Sequence, residues 1–269
     1  MSYLSVNAVT AGYGRQNVIE HISFDLESGH LMGVIGSNGS GKTTLMKALC
    51  GILPHGGTCF LEGAVLENLS ARQMARLVSY IPQRSGIAID ISALDVVLMG
   101  FNPHLGLLEH PTGKMKEAAM EALTRVGLAG KEETNYLHLS EGQKQLCILA
   151  RTLVSESRIL LLDEPESALD FRYRYRMLAI LKQWVSQGTR AAILTLHDPG
   201  LALNYCDRLI LLSEGSVAGI LNPVSDSLTQ MEEQLSRIYG DVSLHRCRDH
   251  QGMEHLVMLK EREDEAWSQ

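Results

Sequence analysis

The sequence predicts an α/β fold: a largely parallel sheet, covered on both faces, interrupted by a block of helices. Three observations lead there. Residues 159–162 and 191–196 are near-continuous apolar runs, the pattern of strands buried on both sides. A glycine-rich loop, Gly36-Ser37-Asn38-Gly39-Ser40-Gly41-Lys42-Thr43, lies between an apolar run (31–35) and a helical pattern. From about residue 85 to 155 the periodicity is helical, with Met115, Ala119, Ala122, Leu123 and Val126 on one stripe. Leu146, Leu149, Ala150, Leu153 and Val154 form a second.

Taken in order, Leu4, Val6 and Ala8, then Ile22, Phe24 and Leu26, alternate as strand positions do and are broken at Ser28-Gly29. The run 31–35 feeds the glycine loop, and 43–51 follows as a helix with Leu45, Leu49 and Ile52 at helical spacing. Residues 78–81 form a short strand ending at Pro82-Gln83. After the helical block and the run 159–162, residues 171–187 form a helix stopped by Gly188, and 191–196 is the next strand. Runs 209–212 and 217–220 pair across Glu214-Gly215. Beyond Pro223 the pattern weakens to a helix over 227–239, a hairpin turning near 249–252 and docked on the fold, and a polar end (261–269) expected to fray. The helical block reads as an insertion in one domain, since no repeat or low-complexity linker separates it.

Composition sets limits. A chain of 269 residues, 45% hydrophobic and 20% charged, is ordinary for a globular protein with a well-buried core. Its net charge of −7 argues against a general nucleic-acid binder, which needs a basic face to displace counterions. No apolar run approaches the roughly 18 residues that span a bilayer. The start, MSYLSVNAVT, has neither basic nor apolar region of a signal peptide, so none is expected. Five scattered cysteines without a CxxC pair suggest reduced thiols.

The glycine loop has its required context, strand before and helix after. Its N–H groups can converge on phosphates, Lys42 can reach the β/γ-phosphates, and the Thr43 hydroxyl can ligate Mg²⁺. Asp163 ends an apolar strand, at the sheet edge where α/β ligands bind, and so is a candidate Mg²⁺ carboxylate. Glu164, next to it, is suited to orient and deprotonate a water. Ser140-Glu141-Gly142-Gln143 fits a helix capping box, and a helix start so capped still aims backbone N–H groups outward.

With Leu139-Ser140-Glu141-Gly142-Gln143-Lys144-Gln145 shortly before Asp163-Glu164-Pro165, residues 3 to 222 resemble the nucleotide-binding subunit of ATP-binding cassette (ABC) transporters. The resemblance implies a P-loop NTPase core with an antiparallel β subdomain and an inserted α-helical subdomain (about 85–155) within an ATPase domain of residues 1–222, followed by a short extension, 223–269. It implies ATP and Mg²⁺ as cofactors. Nucleotide contacts fall to Tyr13, which stacks on adenine, to Gly36, Ser37, Asn38, Gly39, Ser40, Gly41, Lys42, Thr43 and Thr44, and to Ser140, Gly142, Gln143 and Asp170. Ser140 and Gly142 would contact ATP held by the other subunit of a homodimer. Glu164 matches the catalytic base, His197 the switch histidine, and Gln83 the glutamine joining the Mg²⁺/water site (Thr43, Asp163) to the helical subdomain. Two positions depart from the family: Glu141 stands where glycine is usual, and Glu166 where a small hydroxyl residue is. Glu141 is expected to point away from phosphate.

Residues 94–100 and 102–106 resemble ATPases of importers for iron–siderophore, haem and cobalamin, although many of these carry arginine where Phe101 stands. That resemblance implies an integral-membrane permease dimer as partner, a substrate-binding protein acting indirectly, no nucleic acid, and a peripheral location on the cytoplasmic face of the cell membrane. The alternatives are a soluble ABC ATPase without a transport role, or the ATPase of an exporter or of a zinc or molybdate importer.

Overall fold

The apolar runs become the middle of a six-stranded sheet. The computed structural model describes residues 2–83, 86–106 and 108–261. It begins with the hairpin β1 (Leu4–Tyr13) and β2 (Gln16–Leu26), then β3 (Leu31–Ile35), α1 (Lys42–Leu49), β4 (His55–Leu61) and β5 (Ala64–Val65). Next come α2 (Ala71–Leu77), β6 (Val78–Ile81), α3 (Ala93–Leu98), α4 (Gly113–Val126), α5 (Glu141–Leu153) and β7 (Ile159–Leu162). They are followed by α6 (Phe171–Val185), β8 (Ala191–Thr195), α7 (Pro199–Tyr205), β9 (Arg208–Ser213), β10 (Ser216–Leu221), α8 (Leu228–Tyr239), β11 (Val242–Arg248) and β12 (Glu254–Lys260). The polar end beyond residue 261 lies outside the described residues.

The large sheet runs β10-β9-β3-β8-β7-β6, parallel except for β10. Because side chains alternate along a strand, the sheet divides the core in two. Leu160, Leu162, Leu194 and Leu211 face the cluster shared with the helical block and α6. Ile159, Leu161, Ile193 and Leu212 face α1 and the second sheet, β2-β1-β4-β5. Register aligns the carboxyl ends: Ile81 pairs with Leu162, Leu162 with Leu194, and Val34 with Thr195. Everything that follows those strands therefore meets at one edge.

The simple alternation expected from Leu4 to Ala8 fails at Ala8, which is exposed with a φ of 50°. Opposite bulges shift the β1–β2 register there, so that Val9 and Ala11 take the buried places. The amides left out of the ladder are satisfied by hydroxyls: Ala8 N donates to Ser23 Oγ (2.9 Å) and His21 N to Thr10 Oγ1 (3.0 Å). Helix α1 stops earlier than the pattern predicts, and Ile52 lies beyond it, 60% exposed. Three elements gave little sequence signal. Helix α2 has no fully buried residue, so it shows no apolar stripe, although Ser70 and Gln73 cap it. Helix α7 opens on Asp198-Pro199-Gly200, which resembles a turn, and β4 opens on His55-Gly56-Gly57.

The helical block starts each helix with a hydroxyl cap: Ser92, Thr112 and Ser140 accept from Asp95 N, Met115 N and Gln143 N. Phe101 is buried within the same core, 7% exposed, so it packs the block instead of presenting a surface group. The β11–β12 hairpin is docked as expected. Val242 and Leu244 are buried, and Glu232 Oε1 accepts from Leu244 N (2.6 Å). Asn204 acts as a side-chain bridge to β12, donating Nδ2–H to Leu256 O and accepting from Leu256 N, both at 2.8 Å. Asn204→Ala removes both bonds, a loss of about 1–3 kcal/mol. Amide exchange should accelerate across β12 and stay unchanged in β3; equal protection of β12 in both proteins would show that the bridge does not hold it.

Candidate active site

The loop after β3 is shaped by close approach. A Cβ on Gly36 would lie 2.1 Å from Leu212 O, so only glycine lets the chain turn out of the sheet there. Lys42, 5% exposed, opens α1 and curls back, donating from Nζ to Gly36 O (2.9 Å) and Ser37 O (3.1 Å). Burial pulls its pKa below the usual lysine value, against the opposing pull of Glu164, Asp163 and Glu166. Thr43 is half-buried, Thr44 is buried, and the Ser40 hydroxyl is buried without a hydrogen-bond partner among the described residues.

Across the edge, Asp163 is 2% exposed. Its Oδ1 accepts from Thr195 Oγ1 (2.9 Å) and its Oδ2 from Tyr80 OH (3.4 Å), so both hydrogen-bond partners are neutral hydroxyls. Neither Thr195 nor Tyr80 was singled out in the sequence. Thr195 is the polar end of the otherwise apolar strand β8, a signal that could have found it; Tyr80, next to Ser79 in β6, has no such signal. Burial and the Asp163 charge raise the Tyr80 pKa, keeping its hydroxyl a donor.

Glu164 has a φ of 49°, rare for a residue with a Cβ. Its amide is fixed by Thr195 Oγ1 (2.7 Å), and its side chain is held from two sides. His197 Nε2 reaches Oε1 at 2.6 Å, and Gln83 Nε2 donates to Oε2. Two residues widely separated in sequence, following β6 and β8, thus converge on the one carboxylate that follows β7.

The other predicted residues have local partners. Tyr13 is 51% exposed at the end of β1, with Lys47 Nζ 5.8 Å from its ring centroid. Ser140 and Gln143 form the capping box of α5. Glu141 turns along its own helix to Lys144 Nζ (2.7 Å). Gly142 has a reason of its own: a Cβ would meet Ala168 O at 3.0 Å, so glycine lets α5 approach the 167–170 loop. Asp170 caps α6, accepting from Tyr173 N (3.0 Å).

The model of the ABC transporter family matches residues 19–167. The chain belongs to the ABC transporter ATPase family, and like its members it binds and hydrolyses ATP. It is 34% identical over 254 residues to the hemin import ATP-binding protein HmuV of Bordetella pertussis, covering 90% of this chain and 95% of that one. It is 31% identical over 215 residues to the cobalamin import ATP-binding protein BtuD of Halobacterium salinarum, covering 80% of this chain and 54% of that one. Among solved structures it resembles an inward-facing conformation of a transporter assigned to the metal-chelate type, with a TM-score of 0.80 and 26% identity over 97% of this chain and 98% of that one.

Against this family, Glu166 is the departure with structural consequences. It is 3% exposed; Oε1 accepts from His197 N (3.1 Å), while Oε2 is buried without a hydrogen-bond partner among the described residues. Burial raises its pKa, Glu164 adds to the rise, and the amides of Glu166 and His197 and the His197 ring oppose it. The folded state therefore disfavours ionised Glu166, and stability is lost as pH rises from the unfolded-state pKa through the raised folded one. Glu166→Gln, which keeps an acceptor for His197 N, should raise the urea midpoint at pH 8. That gain should shrink as pH falls to about 4, where the unfolded carboxyl is largely protonated. A difference independent of pH would exclude this cause.

Proposed function

We propose that the chain is the ATP-hydrolysing subunit of an importer, powering uptake of an iron chelate (siderophore or haem) or cobalamin through a separate membrane permease. The observation that carries the catalytic reading is Glu164, gripped by Gln83 on one oxygen and His197 on the other beside the phosphate loop. The cargo class rests on the likeness to the hemin import protein along 90% of this chain.

In this reading the triphosphate lies on the N–H groups of residues 36–44 at the start of α1, with adenine on the exposed face of Tyr13. Lys42 exchanges the loop carbonyls for phosphate oxygens, which are charged and stronger acceptors. Thr43, Asp163 and Gln83 supply the hard oxygen donors that suit Mg²⁺. The fit is chemical: among the described residues the side chain of Asp163 accepts only from two neutral hydroxyls, which leaves carboxylate lone pairs for a cation. When bound, Mg²⁺ neutralises charge on the β/γ-phosphate oxygens. Glu164 accepts a proton from the attacking water as its oxygen bonds to the γ-phosphorus, and the bridging bond breaks with its electron pair leaving on ADP. His197 and Gln83 position Glu164 for that transfer.

The site is completed by the partner subunit's Ser140 and the partner's Gly142, so two chains clamp head to tail around two ATP molecules. Gln143 and Asp170 contribute by capping the helices that meet the nucleotide interface. Residues 1–222 act as the ATPase domain and 223–269 as an extension. The dimer sits on the cytoplasmic face of the membrane against a permease dimer, with a substrate-binding protein acting indirectly. Among the described residues no helix is long and apolar enough to cross a bilayer, which agrees with a separate permease.

Glu164→Gln should lower ATP turnover by about 10²–10⁴-fold while leaving ATP-promoted dimers intact. A sedimenting monomer at saturating ATP and Mg²⁺ would overturn the head-to-tail site. For the cargo, the chain should co-purify with a polytopic membrane protein, and the reconstituted complex should accumulate haem, a ferric siderophore or cobalamin. A complex that moves none of them would end the importer assignment made here.

A further inference from the structure

Away from the nucleotide loop, His55, Cys59 and Glu67 come together. His55 and Cys59 belong to β4, and Glu67 to the turn after β5. Strand β4 is kinked between the first two at Gly57, where φ is 83° and the register with β1 slips. The result places one imidazole nitrogen, one sulfur and one carboxylate oxygen all within 4.8 Å of one another, the one such His/Cys/acid group among the described residues.

The orientation of two of the donors is set by a second contact. His55 Nδ1 lies 3.0 Å from Gly56 O. A carbonyl only accepts, so Nδ1 carries a proton, and in the neutral imidazole Nε2 presents its lone pair. Nε2 lies 3.6 Å from Glu67 Oε1, so in the neutral ring two acceptors are directed at each other. Glu67 Oε1 is itself steered by Cys59 N (2.7 Å). A tetrahedral zinc-type ion needs donors about 3.3–3.8 Å apart, given bond lengths of about 2.0–2.3 Å. The His–Glu separation already meets that requirement, and the sulfur is at most about 1 Å too far.

We infer that His55, Cys59 and Glu67 bind one transition-metal cation of borderline softness, of the Zn²⁺ class, through nitrogen, sulfur and oxygen. The mixed set selects such an ion over Mg²⁺ or Ca²⁺, which take oxygen donors. The fourth position opens on a cavity of about 660 Å³ that all three residues line, together with Cys50, Met74 and Tyr80. An ion there ties β4 to the 66–68 turn and forms part of the cavity wall facing α1 and α2. This site does not rest on the importer reading.

The test uses the full chain, stripped with chelator and free of nucleotide. Against a chromophoric competitor it should take up one equivalent of Zn²⁺. Co²⁺ should give a thiolate-to-cobalt charge-transfer band that Cys59→Ser abolishes. Glu67→Gln and His55→Gln should each weaken Zn²⁺ binding by about tenfold or more, and Zn²⁺ should raise the Tm of the parent more than that of Glu67→Gln at the same concentration. Because Cys59 is buried, Cys59→Ser could fail to fold; the two less buried positions then decide. Zn²⁺ uptake that is absent, or unchanged in both Glu67→Gln and His55→Gln, overturns the assignment.

Discussion

The hydroxyl of Thr195 is the point on which the acid pair depends. It gives its hydrogen to Asp163 Oδ1 and accepts the amide of Glu164, at 0% exposure. Glu164 needs that hold. A left-handed backbone at a residue with a Cβ costs about 1–3 kcal/mol and persists only where surrounding structure over-determines it. The register of β7 on β8 provides the over-determination, since Leu162 opposite Leu194 brings Thr195 level with Asp163. A hydroxyl so deeply buried is costly to leave unpaired, so the fold and the site satisfy the same requirement with one group.

Around that node the charges are arranged in tension. Asp163, Glu164 and Glu166 crowd one edge with Lys42, and the lysine loses more to burial than it regains from the acids. Glu166 adds a carboxylate whose Oε2 is buried and unpaired among the described residues, yet its other oxygen holds the backbone of His197. The family's usual small hydroxyl could not span to His197 in that way. The departure therefore reaches the histidine that contacts Glu164, and its charge also acts on Lys42 of the loop.

The α5 side of the proposed site is assembled by packing. The α5 N-terminus rests against the 167–170 loop through Gly142, while Glu141 satisfies itself on Lys144 along the helix. Neither side chain of the capping box is spare: Ser140 and Gln143 bond each other's backbone. What this end offers outward is backbone N–H. Phe101 is likewise committed to the core, so replacing the arginine of many relatives changes packing as well as charge.

How much was legible follows from what each signal depends on. The buried strands 159–162 and 191–195, the loop 36–43, the capped start at Ser140 and the β9–β10 hairpin were readable because local pattern and local chemistry agree there. Helices α2 and α7 and strand β4 were not, because short, half-exposed or glycine-led segments carry no stripe to read. The sequence by itself determined the residue types and their order, hence the family and the ATP chemistry. Only tertiary structure decided that Gln83 and His197 grip opposite oxygens of Glu164, that Thr195 and Tyr80 set Asp163, and that His55, Cys59 and Glu67 meet. Those contacts run between separate strands or across a kink, and their distances depend on register, which no local stretch of sequence encodes.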